Sequence, residues 1–271
     1  VETLPGSTTR PVGLVMADNG STDGAPEAAA AAHDFAEFFP TGGNLGYGTA
    51  INRAVTEIAR RPGEFDQEFV LVVNPDVWFE PGSVDALLAA AHRWPRAAAF
   101  GPRIAETDGS VYPSARAVPR LGAGIGHALL GPVWPGNPWT AHYLDDSDME
   151  SERTAGWLSG SCLLLRREAF DALGGFDERY FMYLEDVDLG DRLGRAGWQS
   201  VYVPSSVIHH DQGHAARTVP EFTLRAHHNS AYLFQADRHP AAWQAPIRWA
   251  LRAGLELRCR LAIRSARRDL R

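Results

Sequence analysis

Lysine is absent from this chain. All 26 basic side chains in the 271 residues are arginine, a bias we read as that of a GC-rich coding sequence and not as chemistry. Cysteine is scarce. Cys162 and Cys259 lie far apart with no C-x-x-C pairing, which excludes a disulfide framework and a thiolate metal site. No apolar run approaches the roughly 18 residues of a membrane-spanning helix, and the first residues lack the charged-then-apolar pattern of a secretion signal, so the expected compartment is the cytosol. Internal repeats and low-complexity tracts are missing as well. What is there is 45% hydrophobic, enough to bury the core of one large domain, or of one domain with an appendage.

The net charge of −7 is unevenly spread. Residues 241–271 hold eight arginines against Glu256 and Asp269, a net +6 that leaves −13 on the rest of the chain. An acidic body argues against a nucleic-acid binder. A basic tail is compatible with an anionic membrane surface.

Short apolar runs alternate with helical stretches. "VGLVMA", 12–17, leads into the turn cluster "DNGSTDG" and an alanine-rich helix at 25–32; "FVLVV", 69–73, leads into "NPD" and a helix around 83–92. "AAAFG", 97–101, and "CLLLRR", 162–167, add strands, the second followed by a short helix at 168–173. This alternation predicts an α/β domain with a mostly parallel central sheet over residues 1–240, followed by a basic helical tail, 241–271. Ligands of such sheets bind beyond the carboxyl ends of the strands. Residues 118–155 form a long connection rich in Pro, Gly and Trp, a length more often functional than decorative.

Carboxylates stand where strands end. Asp18 follows one strand and Asp76 another, and Asp is also an ordinary turn residue. A hard cation such as Mg²⁺ prefers carboxylate oxygen and keeps waters and phosphates as its other ligands. Between the two acids lies "TGGNLGYGTAINRA", 41–54, whose glycines before a helix either receive phosphate or simply make a tight turn.

A third cluster is "YFMYLEDVDLGDRLGRAG", 180–197. A helix starting near Leu184 sets Asp186, Leu189 and Leu193 on one face and pairs Asp188 with Arg192 on another. The helix dipole accounts for acids in a first turn, Glu185 and Asp188 included, but not for an acid on the apolar stripe. Partial desolvation against aromatic surface raises the basicity of a carboxylate, as a general base requires. Further on, "VYVPSSVIHHDQGH", 201–214, is a strand followed by His209, His210 and His214, candidates for a metal or phosphate contact.

Together, "ADNGSTDG", "GGNLGYGTAINRA", "VVNPDVWFEPGSVDALL", "GWLSGSCLLLRREAFDALGGFDERYFMYLEDVDLGDRLGRAGW" and "HH" resemble glycosyltransferase family 2, inverting enzymes of the GT-A fold, in the family's order over roughly residues 12–215. More narrowly, "NLGYGTA", "GSVYPSAR", "GWLSGSCLL", "GGFDERYFMY" and "ADRHPAAWQAPIRWALR" are similar to actinobacterial WbbL-type rhamnosyltransferases. That resemblance implies transfer of L-rhamnose from dTDP-rhamnose to GlcNAc-diphosphoryl-polyprenol in cell-wall linker synthesis. It implies Asp186 as the base, with Glu185 as its competitor. Asp18, Asn19, Asn44, Gly46, Asn74 and Asp76 would bind the nucleotide sugar, and Trp157, Gly160 and Ser161 would frame the acceptor side. Mg²⁺ or Mn²⁺ would rest on Asp76 with His210, or His209. Asn74 stands where the family's metal motif has its first acid.

Two rival readings stay open: a family-2 transferase for a UDP-hexose or UDP-galactofuranose, and a non-catalytic nucleotide-sugar binder. Family members open on a strand and helix, whereas "VETLPGSTTRP" reads as the end of a helix and a linker, so part of the donor pocket is expected to be lacking. Because the implied acceptor is a membrane lipid, the expected location is peripheral, on the inner face of the plasma membrane. Ile247, Leu251 and Leu255 are the expected membrane-facing stripe of the tail, interrupted by Arg258.

Overall fold

The computed structural model describes residues 1–106, 108–119, 121, 148–210 and 220–269. Most of the long Pro/Gly/Trp-rich connection, including Pro132, Trp134, Pro135, Pro138 and Trp139, lies outside the described residues, as does His214.

The elements follow the apolar pattern. β1 (Leu14–Asp18), α1 (Ala25–Ala32) and β2 (Ala36–Pro40) form a unit in which the two strands pair in parallel, apart from the larger sheet. α2 (Tyr47–Ala59) leads to β3 (Phe69–Val73), then β4 (Val77–Phe79), α3 (Ser83–Arg93) and β5 (Ala97–Ala105). Short strands β6 (Val111–Tyr112), β7 (Ala115–Arg116), β8 (Arg153–Ala155) and β9 (Trp157–Leu158) precede β10 (Cys162–Arg166), α4 (Arg167–Ala172) and α5 (Glu185–Arg195). β11 (Gln199–His210), α6 (Pro220–Arg238) and α7 (Ala245–Asp269) complete the described order.

The large sheet runs β3-β10-β5-β11-β4. The expected mostly parallel sheet is in fact mixed: β5 and β11 are parallel, while β10 is antiparallel to both β3 and β5, and β4 is antiparallel to β11. Connectivity permits this. Parallel strands need a crossover connection, but a crossover does not impose parallel pairing, and β10, which enters after the long excursion from β5, runs against both of its neighbours.

Alternation in "CLLLR" shows how the sheet is covered. Leu163 and Leu165 pack with Val55 of α2, Phe170 of α4, and Leu189 and Leu193 of α5; Leu164 points the other way, into Leu87, Ala90 and Ala91 of α3. All of these side chains are buried. At about 25 cal/mol per Å² of apolar surface, each large one contributes roughly 2 kcal/mol.

Two expectations change here. The opening segment is no linker: Leu4 is buried, Thr3 accepts the Phe79 N–H at 3.0 Å, and Asp85 is bonded by the Thr8 hydroxyl at 2.6 Å and the Thr9 N–H at 2.9 Å. In the tail, Leu251 and Leu255 do not face outward. They are half-buried on the side that packs against α6, and that side continues into buried Cys259 and Ile263, not Arg258, which is exposed. The stripe turns by four residues per step instead of three, and burial follows it.

Candidate active site

The glycine loop is the hinge of the site. Asn19, one residue past β1, donates to the Gly46 carbonyl at 3.0 Å and accepts from the Thr41 hydroxyl at 3.0 Å. Asn44 accepts the Gly46 N–H at 3.3 Å. Gly46 has φ +88°, and a Cβ there would lie 2.5 Å from the Phe181 carbonyl oxygen, so only glycine lets this loop lie against the aromatic run. The same Phe181 oxygen accepts the Tyr47 N–H at 3.1 Å. Thus Asn19 and Asn44 shape the glycine loop that lies against Phe181, ahead of Glu185 and Asp186.

Beside it, Asp18 spends both carboxylate oxygens on its own turn, accepting the N–H groups of Ser21 at 3.1 Å and Gly20 at 3.1 Å. Hydrogen bonds from Ser21, then Gly20, hold the carboxyl of this half-buried residue below the usual range. It is a fixed negative charge.

The chain enters α5 through two consecutive left-handed residues, Tyr183 (φ 68°) and Leu184 (φ 63°). Each costs of order 1 kcal/mol for a non-glycine residue, and α6 holds them. Ser230 donates to the Met182 carbonyl at 2.8 Å, the Tyr183 ring meets His227 edge-on at 5.6 Å, and Phe181 meets Phe222 at 5.5 Å. The helix starts at Glu185, as the sequence predicts, and Asp188 pairs with Arg192 at 2.6 Å.

Glu185 and Asp186 then divide their roles by environment. Asp186 accepts the Gly160 N–H at 2.9 Å and the Val187 N–H at 2.8 Å. Burial raises its pKa, and those two donors oppose the rise. Glu185 is buried with Oε2 lacking a hydrogen-bond partner among the described residues, and burial, with the neighbouring Asp186, pushes its carboxyl up to about 8. Two adjacent carboxylates share their titration. Asp186, with two N–H donors turned to its charged form, is better placed to hold the charge of the pair, and Glu185, with Oε2 unpartnered among the described residues, to hold the proton.

Gly160 links both sides of the site. Its N–H bonds Asp186, its carbonyl accepts the Tyr47 hydroxyl at 2.5 Å, and the next carbonyl, of Ser161, accepts the Asn74 N–H at 2.9 Å. The turn Ser159-Gly160-Ser161 therefore stands between Asp186 and the Asn74-Pro75-Asp76 motif. Trp157 does not join it: its indole donates to the Ala117 carbonyl at 3.1 Å and packs with Val118, Val187 and Phe234.

At the other end, His210 Nε2 lies 3.0 Å from Asp76 Oδ1 and 3.5 Å from the Asn74 amide nitrogen. Asn74 Oδ1 is buried without a partner among the described residues. A carboxylate, an imidazole and an orphaned amide oxygen fit a divalent cation that completes its sphere with water and phosphate. Among the described residues no cluster of three or more His, Cys, Asp or Glu side chains forms a denser site. His209 is not part of this one. Successive residues of a strand face opposite ways, and His209 instead lies 3.1 Å from Glu80.

Tyr47 and Thr41 were not singled out by the sequence. Thr41 donates to the Asp18 carbonyl at 2.8 Å and bonds the Gly43 carbonyl at 2.9 Å. The signal for Tyr47 was its place as the first residue of a helix behind Gly46.

Comparison with known proteins bears on this geometry. A protein from Mycobacterium tuberculosis (strain ATCC 25618 / H37Rv) named N-acetylglucosaminyl-diphospho-decaprenol L-rhamnosyltransferase is 56% identical over 98% of this chain and 88% of its own length. Rhamnosyltransferase WbbL of Escherichia coli (strain K12) is 30% identical over 73% of each chain. In fold, the chain is similar to a mannosyltransferase from Pyrobaculum calidifontis solved with GDP-Man and Mn²⁺, with TM-score 0.53 at 18% identity, covering 99% of this chain and 69% of that one. It is also similar to residues 1–349 of S. aureus TarS solved with UDP, with TM-score 0.53 at 13% identity, covering 94% and 64%. These likenesses bear out the GT-A fold expected from the motifs. Residues 15–245 match the profile described as Glycosyltransferase like family 2, and with that span the chain belongs to this family of glycosyltransferases.

Proposed function

We propose that this chain moves L-rhamnose from dTDP-rhamnose to GlcNAc-diphosphoryl-polyprenol with inversion at the anomeric carbon, in the building of a cell-wall linker. The observation that carries the substrates is the 56% identity, over 98% of this chain, to the mycobacterial rhamnosyltransferase. The chemistry rests on Asp186, held by the Gly160 N–H beside a protonated Glu185.

The displacement is a single step. Asp186 takes the proton from an acceptor hydroxyl, the hydroxyl oxygen bonds to the anomeric carbon, and the bond from that carbon to the diphosphate breaks, releasing dTDP. Gly160 aims Asp186, and Glu185 keeps a second negative charge out of the base's surroundings. Asp76, His210 and the Asn74 amide oxygen would hold Mg²⁺ or Mn²⁺, whose charge would stabilise a departing diphosphate. Asp18, with Asn19 and Asn44 shaping the loop, would bind the nucleoside end. Gly160 and Ser161 would border the acceptor.

The acceptor's polyprenyl chain belongs in a bilayer. Among the described residues no helix is long and apolar enough to cross one. Peripheral attachment to the inner face of the plasma membrane through the basic tail suits both facts.

The test is transfer of labelled sugar to a synthetic GlcNAc-diphosphoryl-prenol in Mg²⁺, comparing dTDP-rhamnose with UDP-sugars. Label from dTDP-rhamnose alone, lost in Asp186→Asn, is the expected result. Label only from a UDP-sugar would reassign the donor, and no label from any donor would favour a binding role.

A further inference from the structure

The C-terminal helix turns an unpartnered apolar face to solvent, and it is not the face its sequence stripe suggests. Leu251, Leu255, Cys259 and Ile263 lie on the α6 side. At about 100° per residue, Trp249, Leu257 and Leu261 share roughly a third of the circumference on the opposite side, and Arg260 and Arg264 fall in the same arc. Trp249 is 73% exposed, Leu257 60% and Leu261 53%; Trp243, in the turn leading into the helix, is 76% exposed. Scattered single apolar residues on a surface need no account, but a tryptophan and two leucines along one arc, with a second exposed tryptophan in the turn before it, do.

The charge around them indicates what covers them. Arg260, paired with Glu256 at 2.8 Å, and Arg264 are exposed on this half of the helix, in a tail of net +6 joined to a body of −13. A second copy of this chain would bring the same arginines against them. An anionic lipid surface offers phosphates for the arginines and an acyl boundary for leucine and indole, and indoles favour the headgroup level.

We propose that Trp243, Trp249, Leu257 and Leu261, with Arg260 and Arg264, form the surface by which α7 lies on an anionic phospholipid bilayer. This rests on the reading that the acceptor is a membrane lipid, and it names the face that meets the membrane. α6 is the spacer, since one side of it packs on α7 and its Phe222, His227 and Ser230 hold the residues in front of Asp186. The helix pair thereby fixes how the base stands above the lipid surface.

The experiment is flotation of the full chain with phosphatidylcholine vesicles, with and without phosphatidylglycerol. Binding is expected only with phosphatidylglycerol, weakened by salt, and reduced about tenfold or more in Leu257→Glu/Leu261→Glu. Arg260→Glu/Arg264→Glu tests the charged half separately. Both double variants should keep the helical circular dichroism and the turnover of a short water-soluble acceptor. No binding to anionic vesicles, or equal binding by the variants, would overturn the proposal. So would a dimer in light scattering that Leu257→Glu/Leu261→Glu dissolves, since the face would then be covered by a second copy. Flotation needs neither donor nor acceptor, so its failure is distinct from a failure of sugar transfer, which alone bears on the proposed reaction.

Discussion

Asp18 and Asp186 are both acids set behind an apolar segment, and their surroundings drive them in opposite directions. Asp18 is half-buried and wrapped by N–H groups of its own turn, which lower its pKa; Asp186 is shut in, and burial raises its pKa. The first is a permanent charge suited to holding a ligand in place. The second is a desolvated carboxyl whose N–H donors favour its charged form, suited to taking a proton. The difference comes from the backbone around each acid, and Gly46 joins the two environments by lying on Phe181.

The contrast breaks most sharply at Asp186. Asp186→Asn keeps size and the Gly160 contact but cannot accept a proton, so kcat should fall by ~10³-fold with the donor KM nearly unchanged. Steady-state kinetics with labelled donor measure this. Comparable kcat in the variant would remove Asp186 from the base role.

Next comes the joint itself. Gly46→Ala puts a Cβ against the Phe181 carbonyl in a conformation that L side chains avoid, and should cost about 2 kcal/mol or more of stability. Thermal unfolding should show the drop, and transfer should fall with it because the glycine loop and the Glu185 turn share this contact. Asp18→Asn should do less: about a tenfold rise in donor KM with kcat preserved, since a neutral amide still fits the turn but loses the charge. A fall in kcat alone would show that Asp18 acts in the chemical step.

Much of this contrast was legible in the sequence because it rests on local rules. The start of α5 at Glu185, the Asp188–Arg192 pair and the strands ending before Asp18 and Asp76 follow from periodicity and turn chemistry. What was not legible depends on tertiary placement. The burial of Glu185 requires the left-handed pair Tyr183-Leu184, which α6 holds from some 45 residues further along the chain. The direction of β10 depends on where a long connection re-enters the sheet. The resemblance favoured His210 over His209, and strand alternation supplies the physical reason, sending His210 to Asp76 and His209 to Glu80. The outward face of α7 was hidden because the stripe legible in the sequence is spent on α6.

The subtlest difference lies within the acidic pair. If Glu185 holds the proton at neutral pH, Glu185→Gln replaces one neutral group by another, and the rate at pH 7 should stay within about threefold of the parent. If Glu185 were the base, the same substitution would abolish transfer and Asp186→Asn would not. Stability gives an independent reading. The folded pKa of Glu185, about 8, lies above the unfolded value near 4.5. Its contribution is therefore full below about pH 4.5 and is lost as pH rises towards 8, at up to about 1.4 kcal/mol per pH unit. Denaturant unfolding between pH 5 and 8 should show that decline in the parent and a shallower one in Glu185→Gln, making the variant relatively more stable at the alkaline end. Parallel curves would mean that Glu185 ionises normally, and the division of roles between it and Asp186 would fall.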